Sequence, residues 1–252
     1  MAIVIAAIVL LGGFGLPAIR TFIDSFESGT GARPVISAAL ASARAIAARE
    51  QRYAGIRFQK VCNSDDPLNP LGGILEAAQY MVFIVHEEPR KMGNITTGFK
   101  AVEGMQPIKL FDTVGVMDLG SIGADADIDE PFELNNATAF SIIFSSSGKM
   151  VIQDVRVRNR DGDYQPLNLN DSMDDIFNSP ENILTFNTGM FVQDDYPALG
   201  LVQEPSRRAF VIYDRREFKN AYEKGRAYSD YLVKLVPDVI YINSYTGTMV
   251  EK

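Results

Sequence analysis

The chain has 252 residues, 46% hydrophobic and 22% charged, with 20 glycines and 12 prolines, a globular composition that excludes the fibrous and disordered classes. A net charge of −8 and a pI near 4.8 argue against nucleic acid as a partner over most of the surface, since that binding depends on clustered Lys and Arg. One cysteine (Cys62), one histidine (His86) and no tryptophan exclude an internal disulfide and remove most of the usual catalytic and metal-ligand vocabulary.

Met1 to Ile19 (MAIVIAAIVLLGGFGLPAI) carries no charged side chain, and the first charge is Arg20. As a helix it would reach roughly 28 Å, just about the hydrocarbon thickness of a bilayer. Four readings compete for it. A cleaved secretory signal would need a basic n-region and a shorter apolar core, and here apolar character continues past Pro17. A terminal helix that is apolar all round is rarely buried in a soluble domain. A plain membrane anchor is the third reading, and the fourth, more specific, rests on the flanking residues. Gly12, Gly13, Gly15 and Pro17 are breakers that a membrane helix tolerates, and they predict a kink near Pro17.

Arg20 to Glu27 continues as an amphipathic segment with Ile19, Phe22, Ile23 and Phe26 on one face. Ser28 to Gly31 is expected to break it, with Arg33-Pro34 opening a new helix near its first turn. Val35 to Arg52 is alanine-rich and strongly helical, its apolar stripe running Val35, Ile36, Ala39, Leu40, Ala43, Ile46 and Ala47. Tyr53-Ala54-Gly55 ends that helix, and Ile56 begins a strand that continues to Cys62.

Asn63 to Gly73 reads as a loop, and Tyr80 to Val85, closing the run from Leu75, as a buried strand. Glu87 to Lys91 is a charged turn. Phe99–Val102 and Pro107–Phe111 alternate as two strands joined through Gly104, and Asp112–Gly123 is a loop or short strand. Gly123 to Glu130 is an acidic loop, Ala139–Phe144 a core strand and Ser145–Gly148 a turn. The returning strand, Lys149–Arg158, has Met150, Ile152, Val155 and Val157 as apolar positions, and its phase slip predicts a bulge at Gln153-Asp154. Residues 159–206 form a polar insertion in which 183–186 and 190–192 are candidate short strands. Ala209–Tyr213 is the next strand, Asp214–Leu235 is helical in its first part despite Gly225, and Val239–Asn243 is the last strand. Strand runs joined by short turns imply an antiparallel sheet packed on the second half of the N-terminal helix, an α+β fold.

Few residues carry a chemical signal. Asn159, Asp161, Asp163, Asp171, Asp174 and Asp175 crowd hard oxygen ligands into one loop, but the spacing lacks the full EF-hand pattern and its closing Glu. Asp125, Asp127, Asp129 and Glu130 alternate similarly. Both loops read first as solvated acidic segments and second as calcium ligands. His86 ends a buried strand with no recognisable Ser or Cys nucleophile beside it. Cys62 is a small hydrophobe at a strand end. Arg156, Arg158 and Arg160, with Arg207-Arg208 and Arg215-Arg216, read as exposed strand positions, and Tyr222, Tyr228 and Tyr231 recur at the helical spacing of packing residues. Asn94-Ile95-Thr96 fits a glycosylation sequon that is common by chance. No catalytic, cofactor-binding or metal residue is assigned.

An apolar helix ending in Leu16-Pro17, followed by LASARAIAAREQRYAGIRF (40–58) before the first strand, resembles the type IV pilin and pseudopilin superfamily. Ala39, Leu40, Ala43, Arg44 and Ala47 match the "Ala-Leu-x-x-Ala-Arg-x-x-Ala" stretch of H-type minor pseudopilins of type II secretion and their minor-pilin relatives. FSSSGKMV (144–151) resembles that family's strand-turn-strand segment, and IYINSYTGTMVE (240–251) looks like the ending of planctomycete-type members. The family's processing glycine and assembly glutamate match no position here, and Met1 to Val4 looks like the residues just after that motif. The expectation is a start codon placed too late or a fragment boundary.

The resemblance implies a filament or transmembrane helix over 1–27 and a periplasmic pilin-like domain over 28–252, on a single-pass protein of the bacterial inner membrane. Its function would be as a non-enzymatic minor subunit of a type II secretion pseudopilus or type IV pilus-like filament. Its partners would be other pilin or pseudopilin subunits, the inner-membrane assembly platform, and the membrane itself through residues 2–19. No nucleic acid is expected, although some relatives have a DNA-binding face. No cofactor is expected either, calcium being the one candidate because some pseudopilins use a calcium-stabilised loop. The competing class is a single-span anchored envelope binding protein, possible for calcium, with no filament role; an enzyme is third.

Overall fold

The computed structural model describes residues 29–60, 73–87, 98–102, 104–118, 120, 128–155 and 204–251. The fold is α+β, two antiparallel sheets with a few helices. The expected membrane span, its kink at Pro17 and the boundary at residue 27 fall outside the described residues. Among those, no helix is long and apolar enough to cross a membrane.

Helix α1 runs unbroken over Gly29–Glu50 with Pro34 inside it, which corrects the expected break near Gly29 and restart at Arg33-Pro34. Proline at position 34 removes a single backbone donor, and each helical glycine costs only about 1 kcal/mol against alanine. Burial on one face outweighs both: Ala32, Ile36, Ala39, Leu40, Ala43, Ile46 and Ala47 all lie in the core. The predicted stripe is therefore the buried face, with Val35 half-buried at its margin. The helix stops at Gln51, whose φ of 55° is left-handed. Arg52 N–H then donates to the Ala47 carbonyl at 3.3 Å, the long bond of a Schellman end, and Gln51 Nε2 satisfies the Ala48 carbonyl at 2.6 Å.

Strand β1, Ala54–Lys60, is the centre of the larger sheet and is buried throughout. It pairs antiparallel with β2 (Gln79–Glu87) on one side and β6 (Phe140–Phe144) on the other, Ile56 facing both Phe83 and Ile142. Strands β3 (Gly98–Ala101) and β4 (Ile108–Lys109) both pair with β2, at its two ends, and β7 (Met150–Val151) closes the other edge. Alternation sends Ala54, Ile56 and Phe58 toward α1, where Phe58 stacks on Phe140 at 4.9 Å. The opposite face is buried too, with Val82, Ile84, Phe99, Ile143 and Val155 in a separate cluster and Arg57 Nε bonded to Gln59 Oε1 beside it.

Four strands make the second sheet, in the order β12 (Met249–Glu251), β11 (Ile240–Ile242), β10 (Ala209–Asp214), β5 (Val114–Met117). One sheet was expected, with residues 239–243 as its last strand; β12 follows across a tight turn. Asn243 Oδ1 accepts from the backbone N–H groups of Tyr245 and Thr246, and Gly247 N–H returns to the Asn243 carbonyl, so the NSYTG run is a hairpin turn. Helix α2, Pro131–Thr138, was also unforeseen; Glu133 Oε2 reaches back to the N–H groups of Asp129 and Glu130, and Pro131 occupies the first turn.

The return from β7 departs from expectation as well. Instead of a bulge at Gln153-Asp154, the chain leaves the sheet after Val151, and β8 (Asp154–Val155) pairs with β9 (Glu204–Pro205) in a separate ribbon. Ser206 Oγ directs the exit by donating to the Val151 carbonyl and accepting from Gln153 N–H, both at 3.0 Å. Ile152, an apolar position of the expected returning strand, sits at this crossing and is 56% exposed.

A helical layer covers the outer face of the second sheet. Asp214 caps α3 (Arg215–Tyr222) by accepting from Arg216 and Glu217 N–H. Gly225, at φ 63°, ends that run, and a π-helical turn (Ala227–Leu232) then leads into short helical turns ending at Asp238.

Candidate functional site

The outer face of α1 is the most unusual surface among the described residues. From Pro34 to Ala48 its exposed positions are Pro34, Ser37, Ala38, Ala41, Ser42, Ala45 and Ala48, with no charge among them. A helix facing water on one side ordinarily carries charged residues there. Small side chains instead leave the backbone approachable, as helix–helix contacts require.

Arg44 locks this helix to both turns beneath it. Its Nε donates to the Gly148 carbonyl at 2.9 Å and its Nη1 to the Thr246 carbonyl at 2.6 Å. A shallow groove of about 460 Å³ runs along the same edge, between Ser37, Ala41 and Ala48 of the helix and Ser147, Thr246 and Thr248 of the turns. Arg44 thus ties α1 to one turn of each sheet.

A second feature is a pair of cations around one short turn. Lys60 Nζ, at the end of β1, donates to the carbonyls of Ile74, Leu75 and Ala77 at 2.9, 3.3 and 3.2 Å. Arg215 reaches the carbonyls of Leu75 and Ala77 from α3. Burial lowers the Lys60 amine to about 7, helped by the Arg215 guanidinium and opposed by Glu76. Glu76 itself is held below the usual carboxylate range by its bond to Lys219.

The sign follows. In the unfolded chain the amine stays protonated up to its ordinary value of 10.5, whereas in the folded protein it has lost its proton above about 7. The unfolded state therefore binds more protons between those values, and the contribution of Lys60 to stability rises with pH. Between pH 7 and 9 the unmodified protein should gain about 2 kcal/mol relative to Lys60→Met, read as the difference between their urea midpoints at each pH. A difference that stays constant over that range would show that Lys60 keeps its proton in the fold.

The remaining sequence candidates are structural where they are described. His86 is half-buried between the Tyr53 and Phe99 rings, edge-on at 6.2 and 5.3 Å. Tyr231 Oη accepts from Asp214 N–H, and burial pushes its hydroxyl up to about 12; Tyr222 lies against Phe218. Arg207 is paired with Asp118 and Arg215 with backbone carbonyls, so those two are not arrayed for a polyanion, while Arg208 and Arg216 are exposed. Asp129 and Glu130 serve the start of α2. Cys62, Asn94 to Thr96, Asp125, Asp127, Arg156, Arg158, Arg160 and the acidic loop at 159–175 lie outside the described residues. Among those described, no group of three His, Cys, Asp or Glu side chains is placed to hold a metal ion.

Sequence reading missed the Arg44 lock, although its residue was noted, because bonds to backbone carbonyls at 148 and 246 leave no mark in residue type. Comparison with protein-family models, with curated proteins and with solved structures finds no match.

Proposed function

We propose that this chain is a minor pilin or pseudopilin, a structural, non-enzymatic subunit of a filament of the type II secretion pseudopilus or type IV pilus kind. Residues 2–19 would hold it in the bacterial inner membrane, with the α+β domain in the periplasm. The observation that carries this reading is the two-sided character of α1: one face packed on the sheet, the other uncharged and made of Pro, Ser and Ala. A helix of this kind can serve as the wall of its own domain and as one member of a bundle at the same time. Apolar helices would leave the membrane and pack side by side, while the two-sheet domain rides on the outside. Arg44 supports the mechanics, since it couples the helix to turns on both sheets and so transmits load into the domain.

The test is fractionation of cells that make the full chain together with their own secretion or pilus machinery. The chain should resist alkaline extraction from inner membranes and appear in sheared or gently solubilised filaments alongside other pilin-like subunits. Removing residues 2–19 should release it as a folded soluble protein. A chain that fractionates alone, never with such subunits, would instead favour an anchored envelope binding protein.

A further inference from the structure

Two of the sheet edges are closed by specific bonds. At β5 the Gln79 amide accepts from Val116 N–H and donates to the Val116 carbonyl. At β7 Met150 N–H donates to the Ser244 carbonyl, in a turn of the other sheet. The edge of β12 is open. It is the outermost strand of its sheet, and no described residue bonds to its far side.

The hairpin fixes which groups face outward. Asn243 N–H donates to the Thr248 carbonyl, so the next hydrogen-bonded pair along the ladder is Tyr241 with Val250. The backbone N–H and C=O groups of Met249 and Glu251 therefore point away from β11, two donors and two acceptors that a further strand would pair. Side chains add to this. Val250 and its register partner Tyr241 turn to the outer face, where both are exposed, and Met249 packs against the core on the inner face. A strand laid along β12 would set one of its alternate side chains directly beside Val250, and an apolar residue there would bury it.

A second copy is the wrong occupant. Symmetric antiparallel pairing of β12 with itself needs a two-fold axis perpendicular to the sheet. Helix α1 packs along the inner faces of both sheets, so that axis would point the two α1 helices in opposite directions. Chains held in one membrane by residues 2–19 cannot adopt that arrangement, a step that rests on the anchoring proposed above. A segment of another protein is under no such constraint, and strand addition takes its affinity from the main chain and its specificity from alternate side chains. We infer that the open edge of β12 binds an extended segment of another protein by strand addition, pairing with Met249 and Glu251 and placing an apolar side chain beside Val250.

The experiment follows amide hydrogen exchange by NMR in the full chain, held in zwitterionic detergent, with the peptide acetyl-Lys-Thr-Val-Thr-Val-Thr-Lys-amide as probe. At a peptide concentration about ten times its dissociation constant, exchange at Met249 and Glu251 should slow about tenfold. The same peptide with proline in place of its central threonine should leave both unchanged. Glu251→Pro removes one outward donor and no bond to β11, so it should abolish binding with an unchanged thermal transition. Val250→Ser should weaken binding about fivefold through lost apolar contact. No slowing at about 1 mM peptide, equal slowing by the proline peptide, or full binding by Glu251→Pro would each overturn the proposal. Protection that grows with protein concentration in the absence of peptide would place a second copy on the edge and overturn the choice of occupant. Failure of the anchoring alone, read by fractionation, leaves the peptide result standing.

Discussion

Gln79→Leu is expected to destabilise the fold by about 4 kcal/mol, although the change is nearly isosteric. The Gln79 side chain is buried between the two sheets. Its Oε1 accepts from Val116 N–H at 2.7 Å, while its Nε2 donates to the carbonyls of Val116 and Thr138, both at 2.8 Å. A single amide therefore occupies the open edge of β5 as one residue of a neighbouring strand would, and ties that edge to β2 and the end of α2. Leucine fills the volume but strands a buried donor and two buried acceptors, each costing about 1–3 kcal/mol when left unmade. Urea unfolding of the two proteins measures the difference. A loss below about 1 kcal/mol would mean that water replaces the amide and that the sheets are joined by packing alone.

Gly55→Ala should cost about 3 kcal/mol or more, for a different reason. Gly55 is the second residue of β1, and an added Cβ would stand 2.1 Å from the Ile142 carbonyl oxygen and 2.7 Å from Ile143 Cδ1. Neither a ladder carbonyl nor a side chain packed under it can swing aside, so β1 and β6 would have to part. Gly104→Ala is the control: its φ of 79° strains any other residue, but nothing lies within 4 Å, so a loss of about 1 kcal/mol is expected. Thermal unfolding should rank the two in that order. Equal losses would mean that backbone strain, not space, is what glycine supplies at both positions.

The helical stripe and the core strands were legible because burial writes a period into the residues. Ile36, Ala39, Leu40 and Ala43 recur as a helix facing a core must, and Tyr80–Val85, Ala139–Phe144 and Ala209–Tyr213 read as strands for the same reason. The corrections fall where local signals met a tertiary decision. Pro34 announces a helix start, yet the apolar stripe begins before it at Ala32 and carries the helix through. At Gln153 the phase slip was visible, but only Ser206, far along the chain, makes it an exit from the sheet rather than a bulge. Helix α2 has a readable start in Glu130-Pro131 and Glu133, hidden because Gly123 to Glu130 reads as one acidic loop. Division into two sheets was not legible, since it depends on pairings between segments far apart in the chain, β1 with β6 in one sheet and β5 with β10 in the other.

The candidate surface was legible in composition and not in place. Alanine enrichment over 35–52 was plain, and its division into a buried and an exposed face required the sheet. The tyrosines at 228 and 231 looked alike by spacing, whereas Tyr231 is buried against Phe218 and Tyr228 is exposed.

The central claim, that the outer face of α1 meets another helix in an assembled filament, is tested most directly by photo-crosslinking in cells. A benzophenone side chain placed at Ala41 in the full chain should, on irradiation, join it to another pilin-like subunit identified by mass spectrometry. The same group at Val233, exposed on the helical layer of the other sheet, should give little or no such product. Crosslinking from Val233 with none from Ala41 would contradict the account.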